Sequence, residues 1–357
     1  MVSIMQTTET ITTIGQFKPA STGIKQKLMQ WFRLNAALTV KPYHGYGYAG
    51  KFFICGHVLA LSAFPRKKYR NKFFVNLFSL IRLFIVKPVA GAHVQLHWEN
   101  KPVTGETDED GFFKLEWTAG IPAEFGWHEI LVELVNAAGE VVSTSNAFIF
   151  VPYLTQYGFI SDIDDTFLIS HSSAIFKRLF VLFTNNARSR KPFDGVVEHY
   201  KLLAQAQTKP DEPNPFFYVS SSEWNLYDYI LEFTRINELP RGVFLLNRMK
   251  RLSELFKTGK TSHAGKFTRI ARILESFPTQ KFILLGDSSQ KDPYIYTSLI
   301  EHFPGRIHAV YIRDIYAKNR QKVSEVLKKL DKTGIAYCFF AHSSEAIEHS
   351  RKIGLIN

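Results

Sequence analysis

The chain has 357 residues, of which 45% are apolar, and it can therefore form one large domain or two ordinary ones. Its two cysteines, Cys55 and Cys338, are too few for a disulfide framework and fit a reduced, cytoplasmic protein. No stretch approaches the roughly 20 uncharged apolar residues that span a bilayer, and the N-terminal sequence predicts no secretory signal.

The net charge of +12 is concentrated in the first quarter of the chain. Between Thr10 and Trp98 there are 13 Lys and Arg residues and no Asp or Glu, whereas residues 99–357 carry 31 basic and 31 acidic residues. A positive field confined to one region suggests an anionic partner there, either a membrane surface or a nucleic acid. Because no nucleic-acid recognition motif accompanies the charge, we favour an anionic membrane surface.

Residues 1–30 are polar and predict a mobile arm, and residues 31–152 have the cadence of a small β-sandwich. The stretch "VTGETDEDG" (103–111) has the composition of a turn. A change of cadence near residues 152–156 predicts a domain boundary. The clearest strands of this basic domain are predicted at 90–100, 112–117, 127–135 and 141–151.

An amphipathic segment lies at residues 65–88, "PRKKYRNKFFVNLFSLIRLFIVKP". Such a basic amphipathic helix is typical of membrane-surface binding, but a helix buried between two domains would show the same pattern. The residues that would share its apolar face are Phe73, Phe74, Leu77, Leu80, Ile81 and Phe84.

Continuous apolar strands alternate with helical patterns through residues 153–357, which predicts a doubly wound parallel sheet covered on both faces. The fold class is therefore α/β, preceded by the β-sandwich. Strands are predicted at 157–161, 216–220, 242–246, 281–286, 307–312 and 336–340, and helices at about 194–207, 223–237, 263–276, 292–302 and 319–332.

Two acidic clusters follow strands of this predicted sheet. Asp162 and Asp164, with Thr166, follow "YGFIS", and Asp287 and Asp292 lie in "KFILLGDSSQKD". Ligands of parallel α/β sheets bind outside the carboxyl ends of the strands, and Mg²⁺ is commonly held there by carboxylates. A lone DxDxT segment is also typical of a polar turn. The second acidic pair, with a strand ending at a serine and a lysine near a helix start, favours a magnesium and phosphoryl site.

These motifs resemble those of the haloacid dehalogenase (HAD)-like superfamily of phosphotransferases. The segments "SDIDDT", "VSSSEW", "GKFTRIARILESFPTQKFILLGDSSQKDPYIY" and "VYIRD" are most similar to the actin-patch type of phosphatidate phosphatase, over about residues 153–342. One residue departs from that pattern, because Glu223 stands where a proline is expected.

The resemblance implies a role for each motif residue. Asp162 would be the nucleophile that forms an aspartyl-phosphate, and Asp164 would be the general acid and then the general base. Thr166 and Ser220 would hydrogen-bond the phosphoryl oxygens, and Lys266 and Mg²⁺ would offset their charge. The metal ligands would be Asp162, Asp164, Asp287 and Asp292.

The implied function is Mg²⁺-dependent hydrolysis of phosphatidate to diacylglycerol by a peripheral membrane enzyme. The apolar segment 174–183, with Lys177 and Arg178, is either a helix packed on the core or a lid that meets the lipid. The alternatives are a phosphomonoesterase of soluble esters and a membrane-associated binding protein with a secondary phosphatase site. The sequence predicts no particular oligomeric state.

Overall fold

The computed structural model describes residues 34–35, 37–63, 82–163, 192–251 and 263–357. These residues form an α/β fold with two sheets, one of ten strands and one of six. The predicted polar arm at 1–30 lies outside the described residues, as does most of the amphipathic segment. The limits of the arm and of the two domains stay predictions, as does the sandwich architecture.

The ten-stranded sheet is mostly antiparallel and is organised around one long strand. Its path is β1-β4-β3-β10-β9-β6-β7, and β2, β5 and β8 also pair with β4. Alternate residues of β4, β6, β8, β9 and β10 point into a common apolar cluster. The strands are β1 (Leu34–Asn35), β2 (Thr39–Pro42), β3 (Gly45–Tyr48), β4 (Lys51–Ala63), β5 (Lys87–Pro88), β6 (His93–Trp98), β7 (Lys101–Glu106), β8 (Phe112–Thr118), β9 (Gly126–Val135) and β10 (Val141–Val151).

The four strands predicted in this region are confirmed, but the interpretation of 103–111 as a turn is partly wrong. Residues up to Glu106 belong to β7, which forms a hairpin with β6 through Glu99 and Asn100. Both of these turn residues have positive φ angles (51° and 59°), as a tight two-residue hairpin turn requires. Because β7 ends the path of the sheet and its side chains are largely exposed, it lacks the apolar alternation that marks a half-buried strand.

Only residues 82–88 of the amphipathic segment are described. Arg82–Phe84 form a single 3-10 turn, and Lys87–Pro88 are extended and pair with β4, so the helical pattern does not continue to the end of the segment. The side chain of Phe84 is 1% exposed and belongs to the apolar core. Of the two interpretations of this segment, burial within the protein therefore holds for Phe84, and contact of this side chain with a membrane is excluded.

The six-stranded sheet is parallel throughout, as predicted, and its strands are largely buried except for the edge strand at Ala336–Phe340, which is mostly half-buried. Its strands are β11 (Tyr157–Ser161), β12 (Phe216–Glu223), β13 (Val243–Asn247), β14 (Lys281–Asp287), β15 (Ile307–Arg313) and β16 (Ala336–Phe340). Its helices are α1 (Val196–Ala204), α2 (Tyr227–Ile236), α3 (His263–Ser276), α4 (Asp292–His302), α5 (Arg320–Lys328) and α6 (Ser343–Lys352).

Helix α6 is absent from the sequence-based prediction. Its buried face consists of Ser343, Ala346, Ile347 and Ser350, which have the i, i+3, i+4, i+7 spacing of a helix. Two of these four residues are serines, so an apolar periodicity is not visible in the sequence.

The strand order places the candidate site. The six strands lie in the order β13-β12-β11-β14-β15-β16, so the direction of winding reverses between β11 and β14. In open α/β sheets, ligands bind at the carboxyl ends of the strands beside this switch point. The two acidic clusters predicted from the sequence lie at the carboxyl ends of β11 and β14, the strands on either side of this switch point.

The two sheets share one core. Tyr43, Phe53 and Phe150 of the ten-stranded sheet belong to the same apolar cluster as Phe217 and Phe277 of the parallel-sheet region. The N-terminal strands are therefore packed directly on the six-stranded sheet and its helices. Within the ranges described, no helix is long and apolar enough to cross a membrane.

Candidate active site

Asp162 lies at the switch point of the parallel sheet. It directly follows β11, its side chain is fully buried, and its backbone N–H donates to the carbonyl oxygen of Leu285 in β14 (2.8 Å). The strand thus continues in register for one residue past Ser161 and fixes the nucleophile candidate between the two central strands.

Asp287 and Asp292 lie at the equivalent end of β14: Asp287 is its last residue and Asp292 follows it by five positions. The Asp287 carboxylate accepts hydrogen bonds from the backbone N–H groups of Ser289 (2.5 Å) and Gln290 (3.1 Å), which curls the loop around it. Asp292 begins α4 and is also fully buried. One carboxylate oxygen from each of Asp162, Asp287 and Asp292 lies within 4.8 Å of the others.

Lys266 joins two of these carboxylates. It is the fourth residue of α3, and its ammonium group donates to Asp162 Oδ1 (2.7 Å) and to Asp292 Oδ1. Burial would lower the pKa of Lys266, but the two carboxylates outweigh burial and raise the pKa well above its ordinary value. The lysine therefore stays protonated between the two carboxylates.

Ser220 lies where the regular pairing of β12 ends. Pairing with β13 stops after Val219 and resumes at Glu223, so β12 continues three residues beyond the predicted end of the strand. The Ser220 hydroxyl accepts a hydrogen bond from the backbone N–H of Ser222 (2.8 Å), and its side chain is fully buried. Because β12 is the neighbour of β11, Ser220 stands beside Asp162 at the same edge of the sheet.

Two further side chains at this edge were missed in the sequence analysis. The Gln290 amide donates to Asp162 Oδ2 (3.1 Å) and lies 3.5 Å from Asp287 Oδ2. Arg269, one helical turn after Lys266, donates to the Ser220 carbonyl oxygen (3.1 Å). Burial lowers the pKa of Arg269 to about 10, and the charge of Asp162 partly opposes this effect. Their positions in the sequence were the available signal. Gln290 lies between the motif residues Asp287 and Asp292, and Arg269 shares a helix face with Lys266.

Asp164 and Thr166 lie outside the described residues, together with Asp165. The predicted lid at 174–183, with Lys177 and Arg178, lies outside them as well. The structure therefore brings together five of the seven predicted site residues: Asp162, Ser220, Lys266, Asp287 and Asp292.

The donor set fits a divalent cation. Three fully buried carboxylates lie close together, the Lys266 ammonium group pairs with two of them, and like charges this close repel one another. Carboxylate oxygens are also the ligands that hard cations such as Mg²⁺ prefer.

The comparisons with known proteins identify this part of the chain. Residues 157–314 match the family model "Phosphatidate phosphatase APP1, catalytic domain". This part of the chain is similar to the catalytic domain of the APP1 phosphatidate phosphatase family. The matched residues include the five described site residues and both central strands of the parallel sheet, so the resemblance inferred from the motifs is confirmed.

Two fungal relatives each match a little under half of the chain. Phosphatidate phosphatase APP1 of Saccharomyces cerevisiae is 36% identical over 171 residues, which are 45% of this chain and 27% of the yeast protein. An uncharacterized protein of Schizosaccharomyces pombe is 23% identical over 169 residues, which are 46% of this chain and 26% of that protein. The chain thus spans only about a quarter of the length of these relatives.

Among solved structures, a bacterial immunoglobulin-like domain of the M. primoryensis ice-binding adhesin covers 33% of this chain and 98% of its own. Its sequence identity is 16% and its TM-score is 0.17, which supports no conclusion about the fold of this chain.

Proposed function

We propose that this chain is a Mg²⁺-dependent phosphatidate phosphatase that hydrolyses phosphatidate to diacylglycerol and inorganic phosphate. The observation that carries the proposal is the buried Asp162–Lys266–Asp292 network at the switch point, within the residues that match the catalytic domain of this family. Buried charges at the carboxyl edge of a parallel sheet are costly, and they are typical of sites that bind or transform a ligand.

The first step would use Asp162 as the nucleophile. Its carboxylate would attack phosphorus, the bond from phosphorus to the lipid oxygen would break, and an aspartyl-phosphate would form. The hydrogen bond from Lys266 supports this role, since the ammonium group holds the Asp162 carboxylate in a fixed position at the edge of the sheet. Asp164, outside the described residues, would give its proton to the departing diacylglycerol alkoxide.

The second step would hydrolyse the aspartyl-phosphate. Asp164, now a carboxylate, would take a proton from water, and the water oxygen would attack phosphorus. The bond between phosphorus and the Asp162 oxygen would break, which restores the carboxylate and releases phosphate. Ser220 and Thr166 would hydrogen-bond the phosphoryl oxygens in both steps.

A bound cation would supply positive charge next to the phosphoryl oxygens. Asp162 and Asp287 would hold it most directly, because one oxygen of each lies within 3.5 Å of the same Gln290 amide nitrogen and the two oxygens are therefore close together. Asp292 and Asp164 would complete the ligand set. Asp292 has a second task, since it also positions Lys266.

The substrate would be reached at an anionic membrane surface, by peripheral association. This part of the proposal rests on the 13 basic and no acidic residues between Thr10 and Trp98. A phosphomonoester at a lipid surface also suits the family of the catalytic domain, whose yeast member is named a phosphatidate phosphatase.

A substrate panel tests this function. Phosphate release would be measured from phosphatidate, lysophosphatidate, diacylglycerol pyrophosphate and soluble phosphate esters, with Mg²⁺ and with EDTA. We expect turnover with Mg²⁺ only, and a preference for phosphatidate in mixed micelles. A preference for soluble esters would contradict phosphatidate as the substrate. The absence of Mg²⁺-dependent phosphate release from every compound in the panel would refute the phosphatase function.

A further inference from the structure

Residues 220–222, here called the Ser220 loop, are the part of β12 that leaves the pairing with β13. The five residues 223–227 follow this loop and run from the last residue of β12 to the first residue of helix α2. Glu223 forms an ion pair with Lys250 (2.6 Å), and the other four residues are likewise buried or nearly so. This connection continues directly from the end of β12, the strand that carries Ser220. Three of its contacts come from the N-terminal region: two from the turn between β2 and β3, and one from the 3-10 turn at Arg82–Phe84.

The first contact is an aromatic stack. The ring of Tyr43 lies parallel to that of Trp224, with centroids 3.9 Å apart and an interplanar angle of 11°. Tyr43 has no exposed surface, and its hydroxyl hydrogen-bonds with Nδ1 of His57 in β4 (2.9 Å). The ring is thus held from behind by the ten-stranded sheet while its face supports Trp224.

The other two contacts are hydrogen bonds. The backbone N–H of His44 donates to the Tyr227 hydroxyl (3.0 Å), and the Asn225 amide donates to the carbonyl oxygen of Leu83 (2.8 Å). Asn225 also exchanges hydrogen bonds with the backbone of Lys250, which continues from the end of β13. The connection is therefore held on one side by the turn between β2 and β3 and by the 3-10 turn at Arg82–Phe84, and on the other side by residues near the end of β13.

We propose that the ten-stranded sheet is a working part of the active site, in which Tyr43, acting through Trp224, positions Ser220 to bind the phosphoryl group. The inference rests on the proposed phosphatase function. Tyr43 and Trp224 are positioning residues, since they support the loop and do not themselves meet the substrate.

Loss of the stack between Tyr43 and Trp224 should affect the binding of phosphate but not the binding of the cation. The aspartates are held by Lys266 and by the backbone of the loop after β14, which belong to the catalytic domain. Ser220 lies on β12, whose continuation is the part supported by Tyr43. Loss of the stack should therefore weaken phosphate binding and leave cation binding unchanged.

The test compares Tyr43→Leu, which removes the stack, with Tyr43→Phe, which keeps the ring and removes only the hydroxyl. The inhibition constant of inorganic phosphate and the KM for the best substrate would be measured at saturating Mg²⁺, and Mn²⁺ affinity would be measured by titration. For Tyr43→Leu we expect a rise in both phosphate-dependent constants of up to roughly tenfold, as the value of an aromatic pair implies. Tyr43→Phe should restore most of the loss, and Mn²⁺ affinity should stay within about twofold.

A matched control comes from the same interface. Tyr48 packs on Phe277 (centroids 4.9 Å apart) and bonds with Thr279 just before β14, at the opposite edge of the parallel sheet from Ser220. Tyr48→Leu should therefore leave the phosphate constants unchanged. Trp224→Leu should reproduce the Tyr43→Leu effect, and the double variant should add nothing further.

The outcomes separate the two proposals. Equal phosphate constants for Tyr43→Leu and the wild type would overturn the positioning role, as would a parallel loss of Mn²⁺ affinity or an equal effect of Tyr48→Leu. If Tyr43→Leu does not fold, Tyr227→Phe removes only the hydroxyl that accepts the His44 N–H and should give a smaller rise of the same kind. A wild-type protein without phosphate release would refute the phosphatase function itself.

Discussion

The carboxyl edge of the parallel sheet and the interface between the two sheets are both buried, but they bury different chemistry. The edge holds three carboxylates and a lysine, each 3% exposed or less. The interface is built from aromatic rings such as Tyr43, Tyr46 and Trp224, with neutral histidines among them. Buried charge costs stability unless it is paired, whereas buried rings contribute stability directly. The edge is therefore the region specialised for chemistry, and the interface is the region that holds it in place.

The most severe change at the edge is Asp162→Asn. We expect activity to fall by more than about a thousandfold, because the amide cannot form the aspartyl-phosphate while it keeps nearly the same shape. Phosphate release by the purified variant measures this. Circular dichroism and the Tm serve as controls for folding. Wild-type turnover by a folded Asp162→Asn variant would remove Asp162 from the mechanism.

Lys266→Met would show how far the edge depends on charge pairing. Removing one partner of a buried ion pair leaves uncompensated charge, so we expect unfolding in EDTA to require about 3–5 kcal/mol less free energy. Urea denaturation measures the difference. A saturating divalent cation should reduce the deficit, since it would supply the missing positive charge. A deficit that Mg²⁺ leaves unaltered would argue against a cation among these aspartates.

The parallel sheet could be predicted from the sequence because its signals are local. The helices at 263–276 and 292–302 and the strand at 336–340 have the predicted bounds, and each shows a clear apolar periodicity or run. Strand β7 and helix α6 could not be predicted, because one is exposed and the other buries serines.

The site could be predicted only as far as its motifs extend. Asp162, Lys266 and Asp287 follow strands or open helices, so topology alone brings them to one edge. The stack of Tyr43 on Trp224 joins positions far apart in the chain, and neither residue carries a local signal for the other. Contacts of that kind depend on how two sheets dock, which the pattern of a single segment does not contain.

The histidines of the interface predict an acid-sensitive fold. Burial, with a smaller effect of the Lys41 charge, lowers the pKa of His57 to about 3, and burial together with Arg241 lowers that of His44 to about 4. Below pH 6.5 the unfolded chain therefore takes up protons that the folded chain does not. The free energy of unfolding consequently decreases as the pH is lowered. The expected loss is about 1.4 kcal/mol per pH unit for each histidine, or about 2 kcal/mol each between pH 6.5 and 5.

His57→Gln tests this sensitivity through a slope. The free energy of unfolding would be measured in urea at several pH values between 6.5 and 5, for the wild type and the variant. We expect the slope to decrease by about 1.4 kcal/mol per pH unit in the variant, whatever its absolute stability. An unchanged slope would mean that His57 takes up its proton in the folded chain as well.

The smallest expected effect lies at the rim of the interface, where Arg241 stacks on Trp127. The guanidinium carbon lies 3.9 Å from the ring centroid and 4.9 Å from that of Phe148, so one cation of the catalytic domain meets two rings of the ten-stranded sheet. A cation–π contact at a partly exposed site contributes about 0.5–1 kcal/mol, so Arg241→Met should lower the free energy of unfolding by that amount. Arg235→Met removes the same charge from an exposed position of α2 and is the matched control.

Since Arg241 carries no link to the Ser220 loop comparable to that of Tyr43, the Arg241→Met variant should keep the wild-type inhibition constant for phosphate. A rise in that constant equal to the Tyr43→Leu effect would mean that any loosening of the interface disturbs the site, and that the Trp224 stack has no special role.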